Sequence, residues 1–141
     1  MTNLPERADF PLITSDKLRY GDTDMLGHVN NAVFATLLET GRVEFACDPA
    51  RPLAREGASF VLARLVVDFR AELTWPGQVD IGTGVESVGS SSIRLRQALF
   101  QAGRCVATAE SVIVQMDEVS RRATPLSEAA RARLAGLTMP G

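Results

Sequence analysis

Residues 30–46, NNAVFATLLETGRVEFA, decide the fold of this chain. Five positions recur at the i, i+3, i+4, i+7 and i+11 spacing of one helical face, and they are Phe34, Leu37, Leu38, Gly41 and Phe45. Asn30 or Asn31 is a natural N-cap for this helix, and the two prolines of the following CDPARP end it. The stretch predicts one amphipathic helix, and Gly41, a poor helix former, indicates that something packs closely there.

Downstream of this helix the apolar period changes to two, which is the pattern of strands. Four long segments alternate in this way, and the short turns TWPGQ, GSSS and QAG separate them, so neighbouring strands should be antiparallel. A shorter strand is expected at about residues 16–20, and TPLSEAARARLAG predicts a short C-terminal helix capped by Ser127. The sequence predicts an α+β fold with one helix on one antiparallel sheet, forming a single domain over residues 1–141 with an irregular arm over residues 1–14.

Composition excludes several classes of protein. A content of 45% hydrophobic and 23% charged residues argues against disorder, and a net charge of −2 argues against a nucleic-acid partner. No apolar run reaches membrane-spanning length and no signal peptide is visible, so we expect a cytoplasmic protein with no membrane partner. The lone His28 excludes a His-rich metal site, and the distant Cys47 and Cys105 are expected to be reduced and buried.

The chemistry is concentrated in RYGDTDMLGHVNN, residues 19–31, just before the predicted helix. This segment combines carboxylates, an imidazole and two amides in a glycine-containing turn. Free backbone N–H groups at a helix start suit a developing oxyanion, and a carboxylate just upstream can activate water or attack directly. DTDMLG also resembles the start of a calcium loop, but Leu26 and Val33 stand where that loop needs oxygen ligands.

Residues 19–45, RYGDTDMLGHVNNAVFATLLETGRVEF, resemble the opening of the 4-hydroxybenzoyl-CoA thioesterase branch of the hotdog-fold acyl-CoA thioesterases. The aromatic–x–D–x–D–x–x–G–H–V–N–N string carries the resemblance. Residues 60–100 resemble the strands of that family, and residues 109–134 resemble its last strand and trailing helix. The resemblance thus extends over most of the chain.

This resemblance implies a hotdog fold in which a five-stranded antiparallel sheet wraps around the long helix. It implies a homodimer or homotetramer whose active sites lie at the subunit interface. The implied reaction is hydrolysis of an acyl-CoA substrate to a carboxylic acid and free CoA, with Asp24 as general base or nucleophile. Backbone N–H groups near residues 27–31 would polarise the thioester carbonyl. No cofactor and no metal are implied, because coenzyme A enters only as part of the substrate.

Other residues of the resemblance have a plain interpretation beside the chemical one. A sister branch of the fold keeps its catalytic acid on the helix, and Glu39 stands at that position, fifteen residues after Asp24. We rank Asp24 first because its string is the fuller match, and Glu39 lies away from the apolar stripe. His28 can orient substrate, bond Asp24 or complete the turn, while Asn30 is a site candidate or a cap. Asp22 is expected to be structural or solvated.

The GSSS hairpin is a candidate contact for the CoA part of the substrate, since the resembled family often uses this region for the nucleotide end. The hydroxyls of Ser90, Ser91 and Ser92 and the nearby Arg94 can bind phosphate, although a polar surface hairpin has the same composition. Two other functions stay open. One is a hotdog dehydratase of hydroxyacyl thioesters, and the other is a non-catalytic module that binds CoA or an acyl carrier. The identity of the acyl group is not visible in the sequence.

Overall fold

The computed structural model describes residues 3–140. The helices and strands are β1 (Leu12–Lys17), α1 (Asn31–Ala46), β2 (Ala58–Phe69), β3 (Gln78–Val88), β4 (Ser92–Gln101), β5 (Arg104–Asp117) and α2 (Glu128–Ala135). The strands form one sheet in the order β1-β3-β4-β5-β2, and every neighbouring pair is antiparallel. The predicted α+β architecture, with one long helix and five antiparallel strands, is therefore confirmed.

The predicted start of the chain was wrong in two respects. The first strand begins at Leu12 and ends at Lys17, and residues 7–9 form a short 3-10 turn, so the arm over residues 1–14 is not irregular throughout. Residues 12–14 are all half-buried, so this strand lacks the alternation by which a sequence shows a strand. Leu18 has already left the sheet, and its N–H donates to the carbonyl of Gly77 at 2.9 Å. Residues 1 and 2 of the arm lie outside the described residues.

The helix α1 packs its predicted apolar face on the sheet. All five residues of that face are buried, namely Phe34, Leu37, Leu38, Gly41 and Phe45. Gly41 explains the close approach, because a Cβ at this position would lie 2.7 Å from Cγ2 of Ile81. Beside it, the amide nitrogen of Gln97 donates to the carbonyl of Leu38 at 2.9 Å and to Oγ1 of Thr83 at 3.0 Å. A polar contact therefore fixes α1 to two strands within an otherwise apolar core.

The strand β2 forms one edge of the sheet and pairs only with β5 among the described strands. Several of its apolar side chains are exposed: Leu62 by 47%, Val66 by 36% and Phe69 by 52%. The register with β5 shifts between Leu62 and Arg64, which marks a bulge in the edge strand. This edge combines unpaired backbone groups with apolar surface.

The second helix, α2, packs at the end of the core where α1 ends. Its N-cap is Ser127, as predicted, whose side chain accepts from the N–H of Ala130 at 3.1 Å. Arg133 donates to the backbone carbonyls of Phe45 and Arg51 at 2.9 and 2.7 Å. The helix thus supplies partners for the C-terminal end of α1. Neither helix within residues 3–140 has the length and apolar character that a membrane crossing needs.

Candidate active site

The segment that precedes α1 forms a compact loop. The backbone N–H of Asp24 donates to the carbonyl of His28 at 2.8 Å, and the N–H of Gly27 donates to the carbonyl of Asp24 at 3.1 Å. Gly27 has a φ of +82°, a left-handed conformation that favours glycine. The N–H of Val29 then donates to the carbonyl of Leu73 at 3.0 Å. These bonds hold the loop against the segment that follows β2.

Asp24 is exposed and uses one carboxylate oxygen to hold this loop. Its Oδ1 accepts from the N–H of Leu26 at 2.8 Å and from the N–H of His28 at 3.3 Å. The plain interpretation of Asp24 as a turn residue is therefore realised. Within residues 3–140 no hydrogen bond engages Oδ2, so the second oxygen remains available for chemistry.

Asp24 lines a cavity of about 420 Å³ at the start of α1. His28 and Asn31 line the same cavity, and the rings of Phe34 and Phe69, 5.0 Å apart and edge to face, form an apolar wall. Within residues 3–140 the imidazole of His28 makes no hydrogen bond to the Asp24 carboxylate, and its Nε2 lies 3.2 Å from Oε2 of Glu72, which also lines the cavity. The cavity therefore combines a carboxylate, a His–Glu pair and an aromatic surface.

Asn30 is the N-cap of α1, with Oδ1 accepting from the N–H of Ala32 at 2.9 Å. Its role as a cap, one of the two expected roles, is confirmed. Of the five backbone N–H groups from residue 27 to residue 31, four have acceptors in the loop or in the segments beside it: those of Gly27, His28, Val29 and Asn30. The N–H of Asn31 has no partner within the described residues, and Asn31 lines the cavity. The helix start therefore offers one free donor, on a residue that shares this cavity with Asp24.

Asp22 has the structural role that the sequence predicts. It is only 6% exposed, and its carboxylate accepts from the backbone N–H of Arg19 at 2.9 Å and from the Arg19 guanidinium at 3.0 Å. The backbone hydrogen bond from Arg19 lowers the pKa of Asp22 below its ordinary value of 3.8, although burial raises it. The backbone carbonyl of Asp22 also accepts from the N–H of Asn30, and this bond connects Asp22 to the start of the helix.

Glu39 lies in a different cavity from Asp24 within one chain. It is exposed on α1 and lines a space of about 120 Å³ together with Arg42. Arg42 is only 6% exposed, and its guanidinium donates to Oε1 of Gln97 at 3.3 Å. Burial lowers the pKa of Arg42, and the Glu39 carboxylate raises it. The sequence analysis missed Arg42, although its position eight residues after Phe34 places it on the buried face.

The GSSS hairpin lies at the other end of the molecule from Asp24. It connects β3 to β4, and its carbonyls accept from residues of other segments: that of Ser90 from Leu126 and Arg131, and that of Ser91 from Gln115. Neither the three serines nor Arg94 line the cavities of Asp24 and Glu39. Within one chain the structure therefore brings Asp24 and His28 together, but not Glu39 or the hairpin.

Each cysteine has its own environment. Cys105 is buried as expected, whereas Cys47 is exposed at the C-cap of α1, so the prediction of two buried cysteines was wrong for Cys47. Both thiols are free. Within residues 3–140 no cluster of His, Cys, Asp or Glu side chains has the arrangement of a metal site.

Comparison with known proteins identifies relatives of this fold. A thioesterase from Thermus thermophilus, solved in complex with coenzyme A and Zn, is 30% identical, with a TM-score of 0.77 over 89% of this chain and 98% of that one. A protein described as a predicted thioesterase from Bacillus stearothermophilus is 27% identical, with a TM-score of 0.83 over 92% and 98% of the two chains. The PA5185 protein from Pseudomonas aeruginosa has a TM-score of 0.87 over 97% and 98%, and at 23% identity it shows the fold alone.

A comparison with curated proteins finds no match. The model of the thioesterase-like superfamily matches residues 18–134, which include the Asp24 loop, α1 and the four long strands. The expected resemblance to the hotdog-fold thioesterases is thereby confirmed. The chain belongs to the thioesterase-like superfamily and has its hotdog fold.

Proposed function

We propose that this protein is an acyl-CoA thioesterase that hydrolyses a thioester to a carboxylic acid and free CoA. The observation that carries the proposal is that one cavity is lined both by Asp24 and by Asn31, whose backbone N–H has no partner within residues 3–140. Membership of the thioesterase-like superfamily supports the reaction class. The relative from Thermus thermophilus, solved with coenzyme A, supports CoA as the carrier of the acyl group.

The N–H of Asn31 is the proposed oxyanion contact. It stands at the N-terminal end of α1, where the aligned peptide dipoles contribute partial positive charge. A thioester carbonyl oxygen that accepts from this N–H is polarised, and the contact strengthens as negative charge develops on the oxygen. The neighbouring N–H groups hold the loop, so they are not available for this task.

Asp24 is the proposed general base or nucleophile. As a base, Oδ2 takes a proton from water while the water oxygen adds to the carbonyl carbon. The tetrahedral intermediate then expels the CoA sulfur, which receives the proton. As a nucleophile, the carboxylate displaces CoA and forms an anhydride that water cleaves. In both cases Oδ1 stays bonded to the loop, which keeps the carboxylate in place.

Three further residues of the loop and the helix have proposed roles. His28, held by Glu72, orients the substrate, and Asn30 positions the free N–H of Asn31 by capping the helix. Glu39 is the alternative catalytic acid.

We also propose a homodimer or larger homo-oligomer in which the site lies at the subunit interface, since Phe69 belongs both to the cavity and to the open edge strand β2. In this assembly the CoA moiety contacts Ser90–Ser92 and Arg94. The proposed reaction uses no metal and no prosthetic group.

The decisive experiment replaces Asp24 by Asn. An Asn side chain keeps the Oδ1 acceptor of the loop but has no basic carboxylate, so turnover should fall by about 10²–10⁴-fold while folding is retained. The matched control is Asp48→Asn, because Oδ1 of Asp48 likewise accepts a local backbone N–H, that of Ala50 at 2.9 Å, and lies outside the cavity. Thiol release is followed for short, long, branched and aromatic acyl-CoAs.

The outcome decides which residue carries the reaction, or whether the protein hydrolyses thioesters at all. Activity that survives in Asp24→Asn moves the catalytic role to Glu39, which Glu39→Gln then tests. If neither the native protein nor the variant hydrolyses any substrate, the proposed thioesterase function is wrong. Calorimetric binding of CoA without turnover would then identify a binding module.

The His28–Glu72 contact favours a second candidate function. Hotdog dehydratases of hydroxyacyl thioesters pair a catalytic histidine with an acid, and these two side chains lie 3.2 Å apart in the cavity. Hydration of an enoyl-CoA, followed by the loss of ultraviolet absorbance, tests this function. A His28→Gln variant that loses hydration but keeps thiol release would separate the two activities.

A further inference from the structure

Arg42 makes no ion pair within residues 3–140, although the Glu39 carboxylate of the same chain acts on it from a greater distance. The residue is 6% exposed, and its hydrogen bond goes to the neutral amide of Gln97 at 3.3 Å. In the part of the chain that the structure describes, no carboxylate lies within 4.0 Å of its guanidinium. A buried cation without an anion is strongly unfavourable, because the lost hydration is not replaced.

The cavity beside Arg42 is positioned to receive an anion. It measures about 120 Å³ and lies between α1 and the edge strand β2. Most of its wall is apolar, formed by Val43, Ala46, Phe60, Leu62 and Ile113. Glu39 lines the same cavity but is exposed, so its carboxylate is accessible to a second molecule.

The open edge of β2 limits how a second copy can dock. A two-fold axis that continues the sheet through this edge makes the two β2 strands antiparallel. Pairing along the full 12 residues of Ala58–Phe69 places the axis at the middle of the strand, between residues 63 and 64. The exposed Leu62 and Val66 flank that point, so the pairing also covers apolar surface.

The contacts between β2 and α1 show which helix residues lie beside this axis. At one end of the strand, Phe69 packs on Phe34, with ring centroids 5.0 Å apart. Near the middle of the strand, Leu62 lines the small cavity together with Val43 and Ala46. The helix therefore runs opposite to the strand, and the middle of β2 faces Glu39 and Arg42 across this cavity.

We propose that Glu39 of each subunit pairs with Arg42 of the partner subunit across this axis. The inference rests on the homo-oligomer of the proposed function and gives its interface a specific chemistry. The two-fold axis makes the two pairs equivalent, and each buried guanidinium gains a carboxylate. In this arrangement Glu39 positions the two subunits, and Asp24 remains the first-ranked catalytic carboxylate of the proposed function.

The test uses two charge reversals, Glu39→Arg and Arg42→Glu. Each variant alone places like charges across the axis, so its dimer dissociation constant should rise by about a hundredfold or more. When the two chains are co-expressed with different tags, both cross-subunit pairs have opposite charges again. Within each chain, however, residues 39 and 42 still carry like charges. Recovery of a heterodimer through both tags therefore requires contacts between subunits and cannot come from a contact within one chain.

The readouts are sedimentation of the purified chains and thiol release from acyl-CoA. Glu39→Arg alters an exposed position, so its dissociation tests the pair even where Arg42→Glu does not fold alone. A Glu39→Arg protein that remains dimeric, or a mixture that yields no heterodimer, overturns the pairing. A wild-type protein that is monomeric but hydrolyses acyl-CoA overturns the pairing and leaves the hydrolysis standing. A wild-type dimer that does not hydrolyse acyl-CoA overturns the proposed hydrolysis and leaves the pairing standing.

Discussion

At the level of single residues, the turn role of Asp24 leaves one carboxylate oxygen for the catalytic role that we propose. One carboxylate oxygen holds the turn, and the other has no hydrogen bond within residues 3–140. The DTDMLGHVNN string singled out this residue, and its catalytic role stays a prediction. The string was not sufficient to choose among the N–H groups of residues 27–31, because their acceptors include the carbonyls of Asp22 and Leu73. Leu73 lies far away in sequence, so only the folded chain shows that Asn31 is left free.

The Asp22 carboxylate makes stability depend on pH. Its folded-state pKa is lowered from 3.8, mainly by the backbone N–H of Arg19, so its contribution is present above the unfolded pKa and is lost as pH falls through the folded one. Replacing Asp22 by Asn should lower the free energy of unfolding by about 1–3 kcal/mol at pH 7. Urea denaturation at pH 7, 5, 4 and 3 should show this difference shrinking towards low pH.

Asp16→Asn is the control for this series, since Asp16 is exposed and accepts only from the adjacent N–H of Lys17. Its unfolding midpoint should match that of the native protein. A difference between Asp22→Asn and native protein that is the same at pH 7 and pH 3 would contradict the assignment.

At the level of elements, hydrophobic periodicity predicted best the segments that bury one face. The helix α1 spans Asn31–Ala46 because its stripe is regular and Asn30 caps it. The strand β1 was misplaced because residues 12–14 are all half-buried, so the sequence had no alternating pattern to show. Arg42 was missed for a related reason: a charged residue on a buried helical face is interpreted from the sequence as solvated, whereas here Gln97 and the cavity accommodate it.

The packing of α1 on the sheet predicts the effect of replacing Gly41 by Ala. Alanine favours a helix over glycine by about 1 kcal/mol, but its Cβ would lie 2.7 Å from Ile81 and 2.9 Å from both Thr83 and Gln97. Overpacking should dominate, and we expect a net loss of about 1–3 kcal/mol in chemical denaturation. Gly136→Ala is the matched control, because its Cβ meets only the carbonyl of Arg133, at 3.5 Å. A Gly41→Ala protein as stable as native would show that the sheet relaxes around the methyl group.

At the level of the whole molecule, the fold separates features that the sequence places close together. Asp24 and Glu39 are fifteen residues apart, yet they line different cavities, near the start and the middle of α1. The strand order leaves β2 at an edge, where it borders both cavities. No local pattern contains this information, because it depends on which strands pair over long distances in sequence.

An assembly through β2 predicts that thermal stability depends on protein concentration. Association stabilises the folded chain by mass action, so a tenfold dilution should lower Tm by about 2–4 °C. Scanning calorimetry at concentrations above and below the dissociation constant measures the shift. The Glu39→Arg variant is the control and should melt at one temperature throughout. Superimposable native curves across that range would contradict a homo-oligomer.

The contact of Arg133 with Phe45 also has a consequence for biosynthesis. The guanidinium satisfies a carbonyl at the C-terminal end of α1, and 88 residues separate the two partners. At about 5–20 residues per second, a ribosome takes roughly 4–18 s to translate that interval. During the first half of this time α1 has been translated without β3 and β4, two of the three strands on which it packs. The first long element to be made is therefore among the last to receive all its contacts, and during synthesis its apolar face stays uncovered until β3 and β4 follow.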